Sequence, residues 1–147
     1  MKVMLVHYNP GDGGGAESAV RDQRKALELC GHEVAVCWQH PERDYARLKP
    51  DVIHFHTIHV GMGLGVLEWA QARRIPHCIS LHDYWPFCHD RMLMREGASP
   101  GRPDTPCAAV EGVCDGQCAD NPMPPEVKEA VNESPTVIFS EYAGDIY

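Results

Sequence analysis

Several clusters of side chains in this sequence have types and spacings suited to chemistry. Gly11-Asp12-Gly13-Gly14-Gly15-Ala16-Glu17 follows a short apolar run. Glycines there let backbone N–H groups approach an anion at the start of a helix, whose dipole adds to the attraction. Ser80-Leu81-His82-Asp83-Tyr84-Trp85 ends another apolar run with an imidazole, a carboxylate and two aromatic rings, a mixture typical of ligand pockets. His54 and His56, two residues apart, fall on one face of any strand that carries them. Together with His82 they could serve as ligands of a metal-dependent hydrolase. Cys88, Cys107, Cys114 and Cys118 form C-x18-C-x6-C-x3-C, and the last pair has a spacing usual for structural zinc. Two disulfides or free thiols are the other uses of these four cysteines.

Gly11, Gly13 and Ala16 also satisfy the G-x-G-x-x-G/A pattern of dinucleotide-binding turns. Cys37-Trp38-Gln39 stands where that pattern needs an acid for the ribose, so nicotinamide-dinucleotide binding is disfavoured.

The elements that must position these groups alternate between strand and helix. Lys2 to Tyr8 reads as the first strand. Ala16, Ala19, Val20, Ala26, Leu27 and Cys30 recur at helical spacing before the stop at Gly31. Glu33 to Trp38 is a second strand and, after a polar connection, Asp51 to His56 is a third, approached through Pro50. Gly61-Met62-Gly63-Leu64-Gly65 opens a helix carrying Val66, Leu67, Trp69 and Ala70, which must stop before Pro76. His77 to Leu81 and Thr136 to Ser140 complete the strands, and Cys30, Cys37 and Cys78 read as small core residues. This order predicts an α/β fold, a Rossmann-like parallel sheet of about five or more strands with flanking helices. Residues 86–125, rich in Cys, Pro and Gly without helical or strand period, form a long insertion before the last strand.

Composition narrows the partners. The formal charge of −8 repels phosphate backbones, which argues against nucleic acid. No run reaches the roughly 20 apolar residues of a spanning helix, and no export signal opens the chain, so a soluble, cytoplasmic protein is expected. In that setting seven cysteines point to thiols or metal ligands before disulfides. Arg21, Arg24 and Lys25 on the first helix could touch anionic lipid or a lipid-linked acceptor, but Glu17, Asp22 and Glu28 are interleaved and ordinary solvated charge explains them as well.

Taken in order, these segments resemble the N-terminal domain of retaining, family-4 type (group 1) glycosyltransferases of GT-B architecture. The resemblance rests on the glycine loop with Gly15-Ala16-Glu17, Gly31-His32-Glu33-Val34, Pro50-Asp51-Val52-Ile53-His54-Phe55-His56, Leu81-His82-Asp83-Tyr84-Trp85, the four-cysteine segment and Val137-Ile138-Phe139-Ser140-Glu141-Tyr142. It spans the chain almost end to end. It implies the acceptor-side half of a hexosyltransferase that moves a sugar from a nucleoside-diphosphate sugar to a glycan or lipid-linked acceptor. It further implies that Gly13, Gly14 and Gly15 face the donor diphosphate and that His82 contacts the donor sugar near the reacting carbon. Glu17, His56, Asp83, Tyr84 and Ser140 are the accompanying donor- or acceptor-binding candidates. No cofactor is implied for transfer, and zinc would be structural. The family's nucleotide-binding C-terminal domain has no counterpart in these 147 residues, so the chain alone is expected to be inactive. A non-catalytic nucleotide- or sugar-binding module is the alternative, followed by the hydrolase using His54, His56 and His82.

Overall fold

The structure is a computed structural model that describes residues 1–8, 14–58, 62–82, 94–95, 105–106, 129, 131 and 133–138. Four strands, β1 (Lys2–His7), β2 (Glu33–Trp38), β3 (Val52–His56) and β4 (His77–Leu81), form a parallel sheet in the order β2-β1-β3-β4. Helices α1 (Gly15–Leu29), α2 (Pro41–Leu48) and α3 (Gly65–Ala72) connect them in turn. The backbone of Thr136–Ile138 runs parallel beside β4, matching Ile79 with Thr136 and Leu81 with Ile138. Within 86–125, Met94–Arg95 pairs antiparallel with Thr105–Pro106; the rest of that insertion lies outside the described residues. The chain is thus α/β, with a parallel sheet flanked by helices.

Strand alternation divides the interior into two layers. Met4, Val6, Ile53, Phe55, Ile79 and Leu81 point to one face and pack with Val66, Leu67 and Ala70 of α3, and with Tyr45 and Leu48 of α2. Val3 and Leu5 point to the other, where Val20 of α1 closes a smaller cluster with Leu27, Val34, Val36 and Val52. On this α1 face the carboxyl ends of the strands change character: the next residues in phase are His7, His54, His56 and Ser80, all buried.

Helix boundaries follow local chemistry. Gly31, at φ +81°, ends α1 in a Schellman arrangement, with Gly31 N–H donating to Glu28 O and His32 N–H to Leu27 O. Ala26 and Cys30, predicted for the buried stripe, are exposed instead. Ala26 lies about 100° around the helix from Leu27, and Cys30 is the C-cap. Cys37 is buried as expected and Cys78 is partly buried. The connection after β2 contains α2, which polar composition concealed. Pro41 at its start, Glu42 and Asp44 in its first turn, and Tyr45 and Leu48 three apart are its signals.

Candidate functional site

β1, β3 and β4 deliver their last inward-facing side chains to one patch beneath the first half of α1. His54 and His56 lie side by side, ring centroids 4.2 Å apart. His56 in turn stacks on His82, one residue past β4, at 5.1 Å and 22°. Gln23 of α1 reaches down between the first two rings. Its Nε2 donates to Nδ1 of His54 at 2.8 Å, and its Oε1 accepts from Nε2 of His56 at 2.9 Å. With those protons placed, Nε2 of His54 donates to Ser80 Oγ at 2.6 Å, and Nε2 of His82 donates to Nδ1 of His56 at 2.8 Å. Five side chains therefore run in one line from the buried Ser80 to the half-buried His82.

Burial dominates the electrostatics. Desolvation, followed by the neighbouring His82, pushes the His54 pKa down to about 4. Desolvation followed by the charges of His54, His82 and His7 pushes that of His56 down to about 2. Both rings are neutral at physiological pH, which agrees with each accepting one hydrogen bond and donating another.

His7 closes the patch on the β1 side. Its Nδ1 donates to the His56 carbonyl at 3.2 Å, and its Nε2 stands 3.4 Å from Glu17 Oε1. Glu17 is the third residue of α1, and its carboxylate folds back over Gly14, where a Cβ would collide with it. Gly14, the N-cap, is extended at φ −120°, so this glycine provides close approach and no left-handed turn. The negative charge of Glu17 consequently occupies the helix start that the glycine loop was expected to offer to a phosphate. Thr57, directly after β3, is buried with φ +44°, an uncommon conformation for a β-branched residue.

Of the residues singled out by sequence, Gly14, Gly15, Glu17, His56 and His82 are gathered at this end of the sheet. Gly13, Asp83, Tyr84, Ser140, Cys88, Cys107, Cys114 and Cys118 lie outside the described residues. A cavity of about 510 Å³ opens along the β2 edge, between Val34, Val36 and Trp38 and the side chains of Arg21, Arg24 and Arg47, and Glu17 borders it as well. Sequence reading missed His7, Gln23 and Ser80. His7 shares the phase of Val3 and Leu5, and Gln23 interrupts the Val20–Leu27 stripe at helical spacing, so each was visible as a polar residue on a buried face.

Among the described residues, no set of three or more His, Cys, Asp or Glu side chains is arranged to hold a metal ion, and no helix is long and apolar enough to cross a membrane. Compared with known proteins, the chain matches no family model, no curated protein and no solved structure.

Proposed function

We propose that this chain is a Rossmann-like domain serving as the acceptor-side half of a sugar-nucleotide glycosyltransferase, with His82 contacting the transferred sugar and the start of α1 facing the donor diphosphate. One observation carries the reading. The order β2-β1-β3-β4 reverses direction between β1 and β3, and parallel sheets bind ligands outside the carboxyl ends at such a reversal. Gly14, Gly15 and Glu17 after β1, His56 at the end of β3 and His82 after β4 all belong to that end. His56 is 1 % exposed with both ring nitrogens engaged, so the groups offered to a polyhydroxylated ligand in this reading are the Glu17 carboxylate and the His82 ring. Transfer in this reading requires a second, nucleotide-binding domain to neutralise the leaving diphosphate.

Glu17 favours a second reading, a sugar-binding module without transfer, because a carboxylate accepts sugar hydroxyls and repels a diphosphate. The metal-dependent hydrolase draws no support from the geometry. Both ring nitrogens of His54 and of His56 are engaged with Gln23, Ser80 and His82, and ligation would break those bonds.

The test is a titration of the isotope-labelled chain with UDP-, GDP- and ADP-sugars and with the free sugars, followed by amide shifts. Weak binding is expected, with shifts concentrated at Gly14 to Glu17 and His82, and no transfer product from the 147-residue chain alone. Supplying a nucleotide-binding half should yield product. Binding of free sugars without any transfer under that condition would favour the second reading, and no shift at millimolar ligand would sink both.

A further inference from the structure

We propose that the outer edge of β2 takes up an extended acidic segment of a partner protein as a further strand of the sheet. The inference is independent of the transferase reading and concerns a different part of the surface.

Backbone direction carries it first. β2 stands at the end of the strand order, and among the described residues no strand pairs with its other side. Glu33 N–H donates to Met1 O, so the N–H and C=O groups of Glu33, Ala35 and Cys37 turn toward β1. Those of Val34, Val36 and Trp38 therefore turn outward. The Trp38 carbonyl accepts from His40 N–H at 3.0 Å. The remaining outward groups have no protein partner among the described residues, and such a row is a template for another strand.

The space beside them has the matching shape. The cavity of about 510 Å³ is lined by Val34 and Val36, whose side chains face α1, and by Ala35, which alternation turns to the opposite layer. A cavity that meets both faces of one strand lies along its rim. Its walls are α1, through Arg21 and Arg24, and α2, through Arg47. The two helices thus flank the edge without covering it. The groove runs past Val34 to Trp38, a length that pairs with about five residues of an added strand.

Charge selects the occupant. The chain carries −8 overall, yet the walls of this groove carry three guanidinium groups. Arg24 donates to Glu28 and Arg47 to Asp44 in exposed pairs, and Arg21 donates to Ser18 Oγ. Exposed pairs of this kind are weak, and the guanidinium fork has N–H groups beyond the one each pair uses. Glu17 also borders the groove, but it is 11 % exposed and turned toward His7. A second copy of this chain would set these arginines against their own counterparts. An acidic strand is attracted by both walls, because its side chains point to them alternately.

The probe is a terminally blocked peptide of alternating glutamate and valine, about six residues long to span the edge, added to the nitrogen-15-labelled full chain at low salt. Amide exchange at Val34, Val36 and Trp38 should slow by about tenfold or more at saturating peptide. Ala35 and Cys37, already turned to β1, should keep their rates. Arg24 and Arg47 are exposed, and Arg24→Glu combined with Arg47→Glu should weaken binding about tenfold or more. The same peptide N-methylated throughout should not bind, nor should one with lysine in place of glutamate. No slowing at millimolar peptide would overturn the proposal, as would equal binding of the methylated or the lysine peptide. Protection that grows with protein concentration alone, with a doubled sedimenting mass, would assign the edge to a second copy and overturn it too. The peptide comparisons use the unaltered chain, so they decide the matter even if the double variant is unstable.

Discussion

Glu17 Oε1 lies 3.4 Å from Nε2 of His7, while the same carboxylate covers Gly14, so one side chain stands beside the last residue of β1 and over the start of α1. A diphosphate arriving at this helix start meets a negative charge before it meets the backbone N–H groups. Glu17→Gln removes that charge and keeps the shape. Removing a charge of this kind at a helix terminus should tighten binding of inorganic pyrophosphate or UDP about two- to fivefold. Calorimetric or shift titration measures it, and unchanged or weaker binding would show that the loop is not an anion site.

The depressed histidines make stability depend on pH. Both groups have folded values, about 4 for His54 and about 2 for His56, below their unfolded value. Below pH ~6.5 the unfolded chain binds more protons, so their contribution is complete above that pH and is lost as pH falls toward the folded values. The loss approaches ~1.4 kcal/mol per pH unit for each imidazole. Urea midpoints should be level from neutral to alkaline pH and fall on acidification, and the fall should be shallower in His56→Asn. Parallel profiles for the two chains would contradict the burial of a neutral His56.

His82→Ala should not be silent in stability, although rim residues usually contribute little packing. It strips the donor from the buried Nδ1 of His56, and an unsatisfied buried acceptor costs about 1–3 kcal/mol. His82→Asn, which retains a donor, should recover part of that loss. In the transferase reading both variants lose about 100-fold in transfer when the second domain is supplied, as for loss of a preorganised polar contact. Denaturation curves and product assays on the two variants separate these effects, and full transfer by His82→Asn would remove His82 from the sugar site.

The segment with Cys88, Cys107, Cys114 and Cys118 is expected to carry about one zinc per chain, as a closed site of four thiolates implies. Elemental analysis of protein purified without added metal measures this. Metal-free protein with four alkylatable thiols in that segment would exclude it.

The α/β order was legible because strand and helix periods are properties of neighbouring residues. β2 and β4 begin and end where the sequence predicted, and β3 lacks only Asp51. α2 was hidden because its sheet-facing side is reduced to Tyr45 and Leu48 among charged residues. The histidine pair was legible for the same reason as the strands, since Ile53, Phe55 and the two imidazoles alternate. Gln23 as their partner was not, because the contact joins residues 31 and 33 positions apart and depends on how α1 lies across the sheet. The role of Glu17 was obscured likewise: spacing puts an acid in the first turn, but only the folded chain shows its carboxylate bent back over Gly14.

The alternation in β3 also bears on how faithfully the sheet assembles. β3 is central, aligned with β1 through Leu5 and His54 and with β4 through His54 and Cys78. A slip by one residue would turn Phe55 and Ile53 toward Gln23 and drive two imidazoles in among Met4, Val6 and Leu67. Each stranded ring would forfeit its partners at a cost of about 1–3 kcal/mol per unsatisfied group. An all-aliphatic β3 would tolerate the same error with far less penalty. The buried imidazoles thus act as a key that admits one alignment of the middle strand and rejects its nearest competitors, independently of any ligand.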